Sequence, residues 1–157
     1  LFRSASSDDA EAFQIVRGHH EFLEHHIGRH RGAVVKTVGD GVVAAFNEML
    51  DAVDAAWELQ SSILNSDSSL ALKLNVGIHC GTAIVTTTND RLDYFGAVAR
   101  IAADLPRYAD GEVVLTEAIF SDPLVSQRLR TLGSVGRIRA VEIAGQSGQI
   151  IQCYCIG

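Results

Sequence analysis

The spacing of apolar and polar residues along this chain changes several times, and each change marks an element. Between residues 8 and 30, Phe13, Val16, His20, Leu23 and Ile27 recur at helical spacing, with Ser7 or Asp8 placed to cap the start. Arg31-Gly32 breaks the pattern. From 33 to 46 the residues are short and apolar, many of them β-branched, on both sides of Gly39-Asp40-Gly41. That combination predicts a hairpin, read as buried, whose turn is signalled by Asp-Gly and whose tip carries one carboxylate. Ala52, Val53, Ala56, Trp57, Leu59, Gln60 and Ile63 return to the helical period, and Asn65 to Ser69 form a polar loop. A strand over 70–79 passes through Gly81 into a Thr-rich strand or arm at 82–88, and a third helix covers 97–105 until Pro106 ends it. A strand at 112–115 follows, then a partly helical stretch at 118–130 interrupted at Pro123. A terminal hairpin of 137–143 and 149–156, turning over 145–148, completes the chain.

The order is helix, hairpin, helix, strand, helix, strand, hairpin. It predicts one α+β domain over residues 1–157, without internal repeat or long linker. The order is also most of a ferredoxin-like βαββαβ core with an added C-terminal β-hairpin, the first strand being missing from these residues.

Composition narrows the partners. A chain of 157 residues suffices for one buried core, and its formal net charge of -6 argues against nucleic acid or an anionic membrane while leaving free nucleotide open. No apolar run approaches the roughly 18 residues of a spanning helix, and the first residues lack signal-peptide character, so a cytoplasmic location is expected. Cys80, Cys153 and Cys155 form no zinc or Cys-x-x-C pattern and read as reduced, buried thiols. His19, His20, His25, His26 and His30 crowd the first helix. His26 and His30 have the spacing of a shared metal, but no Cys or carboxylate set accompanies them in the sequence, and a solvated helix face is the expectation. His79, at the end of a buried strand, is expected to make a structural hydrogen bond.

Three segments carry a family resemblance. Val34-Val35-Lys36-Thr37-Val38-Gly39-Asp40-Gly41-Val42-Val43-Ala44-Ala45-Phe46 resembles the second metal motif of class III nucleotidyl cyclases. Leu74-Asn75-Val76-Gly77-Ile78-His79-Cys80-Gly81 is similar to the family's central strand and its Gly-Ile-His-x-Gly ending, and Asn89-Asp90-Arg91-Leu92-Asp93-Tyr94-Phe95-Gly96 to the Asp-Tyr-Phe-Gly segment that opens the catalytic helix. The likeness runs from about residue 8 to about residue 121. It implies a domain that converts ATP to 3',5'-cyclic AMP and pyrophosphate by two-metal catalysis in a homodimer, with Mg²⁺ or Mn²⁺ as cofactor. Asp40 is then a metal ligand, while Lys36 and Asp93 read adenine through N1 and the N6 amino group. Taken alone, Lys36 is a solvated strand-edge lysine and Asp93 a helix cap near Gly96.

The sequence also departs from the family. The first metal-binding Asp belongs to the strand that precedes Leu1-Phe2-Arg3, so only one of two expected metal carboxylates is present. Ungapped alignment of the catalytic helix puts Arg100 where active members carry Asn and Asp104 where they carry the transition-state Arg. Arg100 is an i,i+4 neighbour of Asp104, placed either to pair with it or to supply the missing cation, and Arg107 is a further candidate toward phosphate. The alternative function is therefore a degenerate cyclase-like domain that binds nucleotide or dimerises to regulate a partner.

Overall fold

The computed structural model describes residues 7–65, 73–88, 91–133, 138–144 and 150–157. The first long amphipathic segment is α1 (Ser7–Arg29), so Asp8 lies inside the helix. Next come β1 (Ala33–Val38) and β2 (Gly41–Ala45), an antiparallel hairpin that pairs with no other strand among the described residues. Only Gly39, at φ 62, takes the left-handed region in the turn, so the loop is Gly39-Asp40 rather than Asp40-Gly41. The hairpin is not buried as the sequence suggests. Val34, Val42, Ala44 and Phe46 pack on Leu23, Ile27 and Leu59, whereas the outer end is open and Val38 is 60% exposed.

Helix α2 (Met49–Leu64) buries Val53, Ala55, Ala56 and Leu59. Of the strand expected over 70–79, residues 70–72 lie outside the described ones, and over 73–79 only β3 (Val76–Ile78) is strand; it pairs with one neighbour among the described residues, and Asn75 accepts a hydrogen bond from the Gly111 backbone at 2.8 Å. The Thr-rich arm is a second hairpin, β4 (Ile84–Thr88) with β5 (Arg91–Phe95), that pairs with no other strand among the described residues. Helix α3 (Ala97–Asp104) tightens into a 3-10 turn at Leu105–Tyr108, where Pro106 cannot continue the ladder.

Strand β6 (Val113–Thr116), the short helices α4 (Glu117–Phe120) and α5 (Pro123–Thr131), and the pair β7 (Ile138–Ala144) and β8 (Ile150–Ile156) follow. Pro123 opens α5 at its first turn, and the Asp122 carboxylate caps it by accepting from the amides of Leu124 and Val125. The main sheet has the order β3-β6-β8-β7, with β3 parallel to β6 and the other pairs antiparallel. Its period-two alternation divides the core. Val113, Leu115 and Ile156 face Val53, Ala56, Ile119, Val125 and Leu129 from the helices, while Val114, Cys153 and Cys155 face Leu105 and Ile143. The two terminal cysteines are fully buried free thiols, and burial pushes that of Cys153 up to about 11, so neither is a nucleophile at neutral pH. Residues 1–6, most of the 65–69 loop, Asn89-Asp90 and the 145–148 turn lie outside the described residues, and no strand precedes α1 among those described.

Candidate functional site

Lys36 reaches the site because β1 is irregular. The register slips between Val34 and Lys36: Val34 stands opposite Ala44 and Lys36 opposite Val43. Strict alternation would put Val34 and Lys36 on one face; the bulge sends Val34 to the α1 core and turns Lys36 to the other side of the hairpin. There it meets β5. Lys36 Nζ donates to Asp93 Oδ1 at 3.0 Å, and the Tyr94 backbone amide donates to the same oxygen at 2.9 Å.

Asp93 is therefore a strand residue paired with a lysine, not a helix cap. The residue that caps α3 is Gly96, at φ 123 and without any side-chain cap bond. Hydrogen bonding to Lys36 holds the Asp93 carboxyl below the usual carboxylate range, opposed by partial burial and helped by the Tyr94 amide. The sign follows directly. A carboxylate whose value is depressed on folding stabilises the fold above the ordinary Asp range and loses that contribution as pH falls through the lowered value. Asp93→Asn is expected to abolish this part of the acid sensitivity, measured by comparing denaturation midpoints of the two chains from about pH 2 to about pH 7.

Asp40 stands at the exposed hairpin tip, and its side chain has no partner among the described residues. It supplies one hard oxygen donor. No group of three His, Cys, Asp or Glu among the described residues is arranged to hold an ion. The Asp40 carboxylate fits Mg²⁺ or Mn²⁺ with substrate phosphates completing the shell.

On α3 the charges pair differently from the i,i+4 expectation. Asp104 Oδ1 binds Arg107 Nη1 at 3.2 Å, and the exposed Arg100 side chain has no ion-pair partner among the described residues. Asp104 is thus a neutralised anion, and Arg100 the cation left free on this helix.

The histidines are less solvated than their sequence suggests. His26 is buried at the contact of α1 with α2, its Nδ1 3.0 Å from the Phe22 carbonyl, and His30 Nε2 lies 2.5 Å from Glu58 Oε2. Glu58 is the carboxylate that local spacing could not supply, because it arrives from α2. It serves as a clasp, with Arg29 Nη1 2.6 Å from its other oxygen. His79 makes the structural contact expected of it, 3.0 Å from the Thr116 hydroxyl, and burial lowers its pKa.

The family model for the adenylate and guanylate cyclase catalytic domain matches residues 2–121. The chain belongs to this family. The cyclase domain is 34% identical over 104 residues to a Rhizobium meliloti protein named "Putative adenylate cyclase 3", covering 63% of this chain and 17% of that protein. It is also 34% identical over 90 residues to an uncharacterized Mycobacterium tuberculosis protein, covering 57% of this chain and 33% of the relative. The chain thus matches a third or less of either relative's length. Among solved structures, the cyclase domain resembles adenylate cyclases of Trypanosoma brucei in their monomeric state, with a TM-score of 0.72 at 21% identity, over 90% of this chain and 78% of that one. It likewise resembles an adenylyl cyclase of P. aeruginosa, with a TM-score of 0.66 at 13% identity, over 98% and 85% of the two chains. These likenesses show the shared α+β cyclase fold. No described helix is long and apolar enough to cross a membrane.

Proposed function

We propose that this cyclase domain acts on ATP, forming 3',5'-cyclic AMP and pyrophosphate as a homodimer. The observation that carries the reading is the Lys36–Asp93 pair, a donor and an acceptor held side by side on two separate hairpins. Adenine offers an acceptor at N1 and a donor at its N6 amino group, so it can take the Lys36 proton donor and the Asp93 oxygen at once. Guanine presents a protonated N1 and a carbonyl at C6, which leaves both side chains facing the wrong partner.

In the proposed reaction the ribose 3'-oxygen bonds to the α-phosphorus as its proton passes to solvent water, and the bond from the α-phosphorus to the bridging oxygen breaks as pyrophosphate departs. A Mg²⁺ or Mn²⁺ ion at Asp40 would lower the hydroxyl's pKa and offset charge on the phosphates. Arg100, without an ion-pair partner among the described residues, is assigned to the phosphates of the nucleotide held by the second chain, with Asp104 paired instead to Arg107. The reading also takes the exposed face of β4–β5 as the way to that second chain.

The test is calorimetric titration with ATP and GTP, followed by a product assay with Mn²⁺. ATP should bind about 10- to 100-fold more tightly than GTP, and Lys36→Ala should erase the difference, as expected for a hydrogen bond to a charged group. Equal binding of both nucleotides, or binding of neither, defeats the proposal. The Arg100 and Asp104 exchanges favour one second reading, a domain that binds nucleotide and dimerises without turnover. ATP binding with no cyclic product would establish it instead.

A further inference from the structure

Three consecutive residues at the end of α1 all hold α2. Arg29 and His30 bind the two oxygens of Glu58, and Arg31 binds Asp51 through two contacts: Nε to Oδ2 at 2.9 Å and Nη2 to Oδ1. Asp51 is the informative partner, because its side chain is only 12% exposed and it lies in the first turn of α2. Arg31 adopts φ 60, the left-handed region that a bulky side chain avoids, and it does so where α1 ends and the hairpin begins. Gly32 then has no room for a side chain: a Cβ would collide with the Phe46 ring and lie 2.8 Å from Ile27 Cγ2. The root of the hairpin is therefore fixed on both strands, by Arg31 and Gly32 before β1 and by Phe46 after β2. Its tip is exposed, and no other strand pairs with it among the described residues. The angle at which it leaves α1 decides where Lys36 stands relative to β5.

We propose that the Arg31–Asp51 pair is a positioning element. It sets the hairpin's angle against α2 and so holds Lys36 on Asp93, passing any movement of α1 relative to α2 to that pair. The consequence for nucleotide binding rests on the adenine-reading assignment; the structural coupling does not. Strain at Arg31 gives the joint its direction, since the left-handed backbone persists only while the ion pair and the packing of Gly32 over-determine it.

The experiment compares Asp51→Asn and Arg31→Gly with the unmodified chain, following the Asp93 carboxyl titration by NMR together with ATP affinity. Glycine adopts φ 60 without strain, so Arg31→Gly removes the ion pair while leaving the turn intact. Glu112→Gln is the control, because it removes the charge from the 2.8 Å Arg139–Glu112 pair, which touches neither the β1–β2 nor the β4–β5 hairpin. Both joint variants should titrate Asp93 closer to an ordinary Asp, and ATP affinity should fall about tenfold. The control should alter neither. If Asp93 titrates as before in folded Arg31→Gly, the proposal is overturned; if Asp51→Asn does not fold, Arg31→Gly alone decides. Should the unmodified chain bind no nucleotide, the adenine reading fails while the Asp93 titration still tests the joint.

Discussion

Gly77→Val unfolds this domain or lowers its stability by about 3 kcal/mol or more, among the larger losses that overpacking of a core produces. The reason is the distance between β3 and the end of α3. A Cβ on Gly77 would collide with the Leu105 side chain, sit 2.8 Å from Pro106 Cδ and stand 3.0 Å from the Ala102 carbonyl oxygen. None of these neighbours can yield cheaply. Leu105 is 1% exposed and central to the second core face, Pro106 is rigid, and the carbonyl belongs to the helix backbone. Alanine already makes the clash, and valine adds branches that must displace the 3-10 turn from the sheet. Equilibrium denaturation with near-ultraviolet circular dichroism checks this; a Gly77→Val chain within about 1 kcal/mol of the original would refute the close-approach account. The glycine in the Gly-Ile-His segment is thus there for packing. It lets α3, with Arg100 on its surface, lie directly against the strand that leads into β4.

Features fixed by local chemistry were legible in the sequence. The hairpin around Gly39-Asp40-Gly41, the helical stripe from Val53 to Ile63, and the interruption at Pro123 each arise from neighbours in the chain, and the structure shows each element, though the turn itself is Gly39-Asp40. The family motifs single out Lys36 and Asp93, which the structure brings within 3.0 Å of each other. What stayed hidden depends on residues distant in sequence. Glu58 as the partner of His30, and Asp51 as the partner of Arg31, are ordinary acids in an amphipathic helix until α1 is laid against α2. The bulge that re-aims Lys36 left no sign either, because Val34 and Val35 suit a regular strand and a bulged one equally. The partner of Asp104 was open in the sequence for a related reason: helical spacing allows both i,i+4 and i,i+3 neighbours, and the structure pairs it with Arg107.

If the domain works as the proposed homodimer, charging the free arm should abolish turnover while leaving nucleotide binding by the single chain nearly intact. Ile84 and Phe95 stand opposite each other across β4 and β5, so they share one face; Ile84 is 66% exposed and Phe95 49%. No other strand pairs with this hairpin among the described residues, and an apolar pair so exposed on a two-stranded sheet has little stability value in an isolated chain. Asp at position 84 buries no new charge in the monomer, yet it would desolvate one at a self-complementary contact. Ile84→Asp should therefore sediment as a monomer and lose product formation by about 100-fold or more, as when a transition-state donor is withdrawn. A variant that stays dimeric, or a monomer that keeps its rate, contradicts the shared site. Complementation separates a shared site from mere loss of stability. Lys36→Ala and Arg100→Ala each disable both sites of their own dimer, but a mixed dimer pairs one chain's intact base pair and Asp40 with the other chain's intact Arg100. Random mixing makes half the dimers mixed with one working site in each, so about a quarter of the original activity should return. Two inactive proteins that recover activity only when combined would show that Arg100 acts across the interface.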